Sequence, residues 1–68
     1  MAAVSRSSIE VLQIALKKEE SSLKMYSSMV EQTKVQFVRE LLEQLRDEEA
    51  RHVRMIQKRL SRLAIGRG

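Results

Sequence analysis

Apolar residues recur along the chain at alternating spacings of three and four, in two runs whose phases do not join. The first run reads Ile9, Leu12, Leu16, Glu19, Leu23, Tyr26 and Val30; the second reads Val35, Val38, Leu42, Leu45, Glu49, His52, Ile56, Arg59 and Leu63. Each is the a/d seam of an amphipathic helix. Carrying the first phase forward would place Phe37, Gln44, Arg51 and Lys58 inside, which is chemically poor, so the break falls between Val30 and Val35. Local signals agree with that division. Ser7 with Glu10 is a capping-box pattern at the start of the first run, and Thr33 with Gln36 repeats it at the break. Gly66 stands where a left-handed C-terminal cap is wanted. The pattern predicts helix one over about Ser8 to Gln32, a tight turn near Thr33, and helix two over about Lys34 to Ile65. The turn has no glycine, so a single kinked rod is the competing arrangement.

Composition supports an all-α chain. Proline is absent, the only glycines are Gly66 and Gly68, and Leu, Glu, Lys, Arg, Gln and Met dominate. A chain of 68 residues makes a single domain that buries only a modest core. It needs a second copy, a metal or a covalent staple. With no cysteine, disulfides, thiolate metal sites, iron–sulfur clusters and a catalytic thiol are all excluded. Pairing two antiparallel hairpins into a four-helix bundle is the simplest way to close both seams. No secretion signal and no membrane-length apolar run is visible, so the cytoplasm is the expected compartment and no membrane contact is expected.

Net charge is +4, largely from Arg51, Arg54, Lys58, Arg59, Arg62 and Arg67. Such a cluster suits phosphate, nucleic acid or an acidic partner. No aromatic is interleaved for base stacking, so nucleic acid is not the expected partner. The cluster reads instead as a solvated helix end whose cations favour the negative pole of the helix dipole.

Three seam residues change the picture. Glu19 occupies a d position, Glu49 an a position and His52 the next d position. A lone carboxylate in a bundle interior is expensive unless paired or protonated, and the only other strongly charged seam residue is Arg59, toward the frayed end. Glu49 and His52, at i and i+3, project from one face of helix two and can reach a common ion. Glu19 and Glu49 are centred on residue 34, where phase and capping had already placed the turn. In a hairpin they share one height, about fifteen residues or about 22 Å from the turn. One hairpin thus offers one Glu and one Glu-x-x-His, half of the ligand set of a bundle two-metal carboxylate site. A two-fold dimer supplies four carboxylates and two imidazoles. A shell of oxygen and nitrogen without sulfur suits iron or manganese, with zinc also able to occupy it.

At these residues a family resemblance enters. Ala15-Leu-Lys-Lys-Glu19, with Tyr26 seven residues later, resembles the first helix of the rubrerythrin-like branch of the ferritin superfamily. Leu45-Arg-Asp-Glu-Glu49-Ala-Arg-His52 resembles its metal-binding second helix. The gap between Glu19 and Glu49 is similar to that of the half-length encapsulated ferritins, whose two-helix subunits form the iron site only by dimerising. The resemblance implies a ferritin-like four-helix bundle, a di-iron centre held by Glu19, Glu49 and His52 from each subunit, and ferroxidase activity with dioxygen or peroxide as oxidant. It makes Tyr26 the candidate catalytic side chain beside the ligands, hydrogen-bonding one of them or taking part in electron transfer. The chain departs from the family where a rubredoxin domain would need cysteine. It departs again at Met25, where some encapsulated ferritins carry tryptophan. The last residues, Leu63-Ala-Ile-Gly66-Arg-Gly, partly resemble the tails that load cargo into encapsulin shells, which would make such a shell a partner.

Bland readings stand beside these. Glu49 with His52 alone is an ordinary surface helix pair; only Glu19 at matching height favours metal. Glu20 and Glu48 would replace the named acids if the phase were wrong by one residue. Met25, Met29 and Met55 read as packing. Two other functions compete: a non-enzymatic helical-hairpin interaction module, in which Glu19 and Glu49 pair with Arg59 or other cations, and a structural metal site without turnover.

Overall fold

A computed structural model describes residues 7–66 of the chain. Helix α1 spans Ser8–Gln32 and helix α2 spans Gln36–Gly66. The two run antiparallel as a hairpin, not as a kinked rod, with Glu19 and His52 meeting across them.

Local chemistry sets the first boundaries. Glu10 N–H donates to Ser7 Oγ at 3.1 Å, and Ser7 N–H donates to Glu10 Oε1 at 3.1 Å. This reciprocal pair satisfies donors that the first helical turn leaves without partners. At the other end Thr33 is extended (φ −96°, ψ 128°) and stops α1. Its hydroxyl donates back to the Met29 carbonyl at 2.7 Å.

That backward bond corrects the expected start of α2. Thr33 closes α1 and does not cap α2, and the Gln36 amide donates forward to Glu40 Oε2 at 3.1 Å. The second capping box is therefore not formed. Helix α2 begins at Gln36, two residues later than the pattern predicts, and Arg39 N–H bonds the Val35 carbonyl at 2.9 Å in its first turn. At its far end α2 runs through Gly66, so Leu63, Ala64 and Ile65 are helical. Any cap beyond Gly66, and the tail residues Arg67 and Gly68, lie outside the described residues. No basic residue occupies the last turn of α2, so the helix dipole does not account for the cationic cluster, because its influence fades within one turn.

The hairpin measures 49 × 31 × 13 Å, one helix thick. A single layer cannot enclose side chains, and the burial pattern follows from that. Only Val30 (5% exposed) and Val53 (9%) are buried among the described residues. Val53 was outside the expected seam, while His52 and Arg59, expected within it, are exposed. Helix α2 is turned so that Leu42, Glu49, Val53 and Leu60 face α1, and His52 stands at the edge of that contact.

The turn of α2 leaves a second apolar face. Val11, Ile14, Met25 and Met29 on α1, and Phe37, Leu41 and Met55 on α2, are all exposed. At about 100° per residue these positions fall on one side of the hairpin, the side on which His52 stands. No helix is long and apolar enough to cross a membrane.

Candidate metal centre

Glu19 lies midway along α1, and Glu49 and His52 share one edge of α2, three residues apart. The antiparallel pairing brings the three together: one donor atom from each lies within 4.8 Å of the others. His52 Nδ1 sits 3.2 Å from Glu49 Oε1 and 3.4 Å from Glu19 Oε1. The acids are half-buried, with side chains 25% and 20% exposed, whereas the imidazole is 52% exposed on the apolar side. The cluster is thus open to solvent at the margin of an uncovered face.

Its electrostatics are those of groups competing for protons. The hydrogen bond between the two carboxyl groups lowers the pKa of Glu19 and raises that of Glu49. Burial also pushes Glu49 up. Of the two, Glu49 is thus the readier to take up a proton and Glu19 the readier to stay ionised. Hydrogen bonds from the protonated His52 Nδ1 to Glu49 and then to Glu19 raise the pKa of His52 above its ordinary value of 6.5. Among the described residues neither acid forms an ion pair with lysine or arginine; the recorded pairs are Arg39–Glu43, Arg46–Asp47 and the His52 contacts. Two carboxylates and an imidazole without a lysine or arginine ion pair are a fitting donor set for a divalent ion, which would compete with protons for them.

Glu20 and Glu48, the acids one residue off phase, are exposed and lie outside this cluster. Arg59, the cation invoked for an ion-paired seam, is exposed and touches neither acid. Tyr26 is half-buried on the same face of α1, seven residues or about 10 Å from Glu19 toward the turn. Among the described residues Tyr26 forms no side-chain hydrogen bond to Glu19, Glu49 or His52.

The rubrerythrin family model matches residues 10–68. The chain belongs to the rubrerythrin family. Nearly the whole of this rubrerythrin-family chain is matched, including both helices and all three clustered residues. No curated protein and no solved structure shows a significant match. What sequence reasoning missed is the face beside the cluster. Its signal was present in Val11, Ile14, Met25 and Met29, apolar residues lying off the seam on one flank of α1.

Proposed function

We propose that two copies of this chain pair across the apolar face, join their half-sites, and oxidise Fe(II) with dioxygen at the completed centre. The single observation that carries the reading is the Glu19–Glu49–His52 cluster, three donors within 4.8 Å and unpaired with cations, at the margin of an exposed apolar face.

The face supports pairing by its own arrangement. On α1, Val11 and Met29 lie nine residues either side of Glu20; on α2, Leu45 and Met55 lie five either side of Ala50, and Glu48 and His52 two either side. Both centres sit one residue from a ligand. A half-turn about an axis at ligand height would set Val11 against Met29 and Leu45 against Met55, bring Leu41 beside Arg59, and bring the second Glu, Glu and His opposite the first. An isologous contact of this kind is self-complementary by construction. It would also cover side chains that a hairpin one helix thick leaves wet.

In the dimer, Glu19 and Glu49 from each copy would supply four carboxylates, enough to neutralise two Fe(II) ions and to hold the higher charge of Fe(III). His52 from each copy would add a neutral ligand without adding charge. Two Fe(II) ions would together give two electrons to one dioxygen, which takes up two protons and leaves as hydrogen peroxide. The protein's part is to bind, to hold two ions at one height and to limit water around them. Tyr26, about two turns along α1, is placed to relay an electron rather than to bind metal.

The test is anaerobic addition of Fe(II) to metal-free protein, then air, following near-ultraviolet absorbance and dioxygen uptake beside Glu49→Ala. Fast oxidation saturating near one iron per chain, lost in the variant, is the expected result. Iron retained without dioxygen uptake would favour a structural metal site. Neither retention nor uptake above the variant would overturn the metal reading.

A further inference from the structure

Between Ala50 and Gly66 the chain carries five cations, Arg51, Arg54, Lys58, Arg59 and Arg62, and no acid. Four of them form a stripe. Arg51, Arg54, Lys58 and Arg62 follow spacings of three, four and four, which confines them to about 80° of the α2 circumference over about 16 Å of its length. All four are exposed. The stripe lies nearly opposite Val53, which is buried against α1, and a quarter-turn from the face proposed for pairing. It stays free in the hairpin, and in the proposed dimer it borders the pairing face at Met55.

Neither the helix dipole nor local ion pairing accounts for the whole of this stripe. The dipole of α2 does not reach it, since the last turn holds no basic residue and Arg51 and Arg54 stand more than three turns from Gly66. None of the four forms an ion pair among the described residues; Asp47, one turn before Arg51, is taken by Arg46 at 3.2 Å. Unlike α2, the outward edge of α1 mixes both signs, with Glu10, Lys17, Glu20, Lys24 and Glu31 interleaved. Arg51, Arg54 and Lys58 also line a shallow groove of about 290 Å³ with Met55.

We propose that this edge of α2 docks on the phosphate backbone of duplex nucleic acid without reading its sequence. Guanidinium forks suit phosphate oxygens, and a straight stripe of about 16 Å matches about five base-pair steps of one strand. The lack of interleaved aromatics excludes base stacking but does not bear on backbone contacts, which need only cations. A membrane surface is disfavoured because apolar side chains are not continuous with the stripe on both sides. An acidic polypeptide shares the charge but lacks the regular anion spacing.

The experiment is fluorescence anisotropy of a labelled mixed-sequence duplex titrated with the full metal-free chain at several salt concentrations. The slope of log affinity against log salt is expected near −3.6, about 0.9 for each of four phosphate contacts. Arg54→Gln/Lys58→Gln should weaken binding at least tenfold and reduce the slope by about two. Arg51→Gln/Arg62→Gln should do the same, and circular dichroism of both pairs should show unchanged helicity. Glu49→Ala should bind the duplex like the parent, which separates this surface from the metal reading. The proposal is overturned if both variant pairs keep the parent's affinity and slope. Displacement of the duplex by polyglutamate more readily than by unlabelled duplex would overturn it in favour of an acidic polypeptide. Capture by anionic phosphatidylserine vesicles with no duplex binding would overturn it in favour of a membrane.

Discussion

Two edges of α2 share one stretch of sequence and meet opposite fates. On the inner edge Glu49, His52 and Val53 face α1 or its margin; on the outer edge Arg51, Arg54 and Lys58 face solvent. The residues alternate along the chain, yet the helical rotation of about 100° per residue keeps guanidinium away from carboxylate. That separation explains both surfaces. Among the described residues the acids of the inner edge form no ion pair with lysine or arginine and both meet the one imidazole of His52. The cations of the outer edge keep no acid. A helix of the same composition with its charges in register would pair them locally and offer neither site.

The sharpest way to break this division is to move a cation across it. His52→Arg places a guanidinium between Glu19 and Glu49, where it satisfies both acids. Metal retention should fall at least a hundredfold, and the melting temperature of the metal-free protein should hold or rise. Isothermal titration with Co(II) and a thermal melt check both halves. A lower melting temperature would mean that the cluster is not a void left for a cation.

Next in size is a charge on the proposed pairing face. Val11→Asp touches no ligand, but it would put an unpaired carboxylate into an apolar contact, a cost of several kcal/mol. Sedimentation should show a shift from dimer to monomer, with iron retention lost in parallel. A dimer that persists would place the interface elsewhere.

Smaller and continuous is the response to pH. The raised pKa of His52 means its protonated form stabilises the metal-free fold fully below its ordinary value of 6.5, and this is lost as pH rises through the raised value. Glu19 contributes in the opposite sense: its stabilisation is present above 4.5 and lost as pH falls through its lowered value. Glu49, raised from 4.5, favours its protonated form, so its contribution fades as pH climbs through that raised value. Metal-free stability should therefore be greatest in the mildly acidic range between 4.5 and 6.5. Metal affinity should run the other way, rising past the raised value of His52 as its proton no longer competes. Thermal melts and Co(II) titrations across pH measure the two trends, and parallel curves would contradict competition between protons and metal at the cluster.

Smallest is the capping box. Ser7→Ala removes the bond to Glu10 N–H and should cost about 1 kcal/mol in denaturant unfolding, with no change in metal retention.

The uneven legibility of the chain has physical causes. Helix α1 was readable end to end, because Ser7 and Glu10 act within a single turn and need nothing from the rest of the molecule. Thr33 misled because its hydroxyl can cap forward or bond backward. The outcome depended on Met29 offering a carbonyl at 2.7 Å, which no local pattern encodes. Val53 was missed for a related reason: the heptad pattern defines a broad apolar arc, and only the seating of α1 on α2 selects its centre. The cluster was legible because hairpin geometry ties residue numbers to heights, so Glu19 and Glu49 could be matched from the turn alone. The exposed face was readable as apolar residues but not as a surface, since single-layer packing had first to leave them uncovered.

The central claim is that the site is halved in one chain and completed by another. Native mass spectrometry of the protein loaded anaerobically with Fe(II) tests it directly. A dimer carrying two irons, reverting to iron-free species on Glu49→Ala, is the predicted result. A monomer that retains iron at one per chain would contradict it.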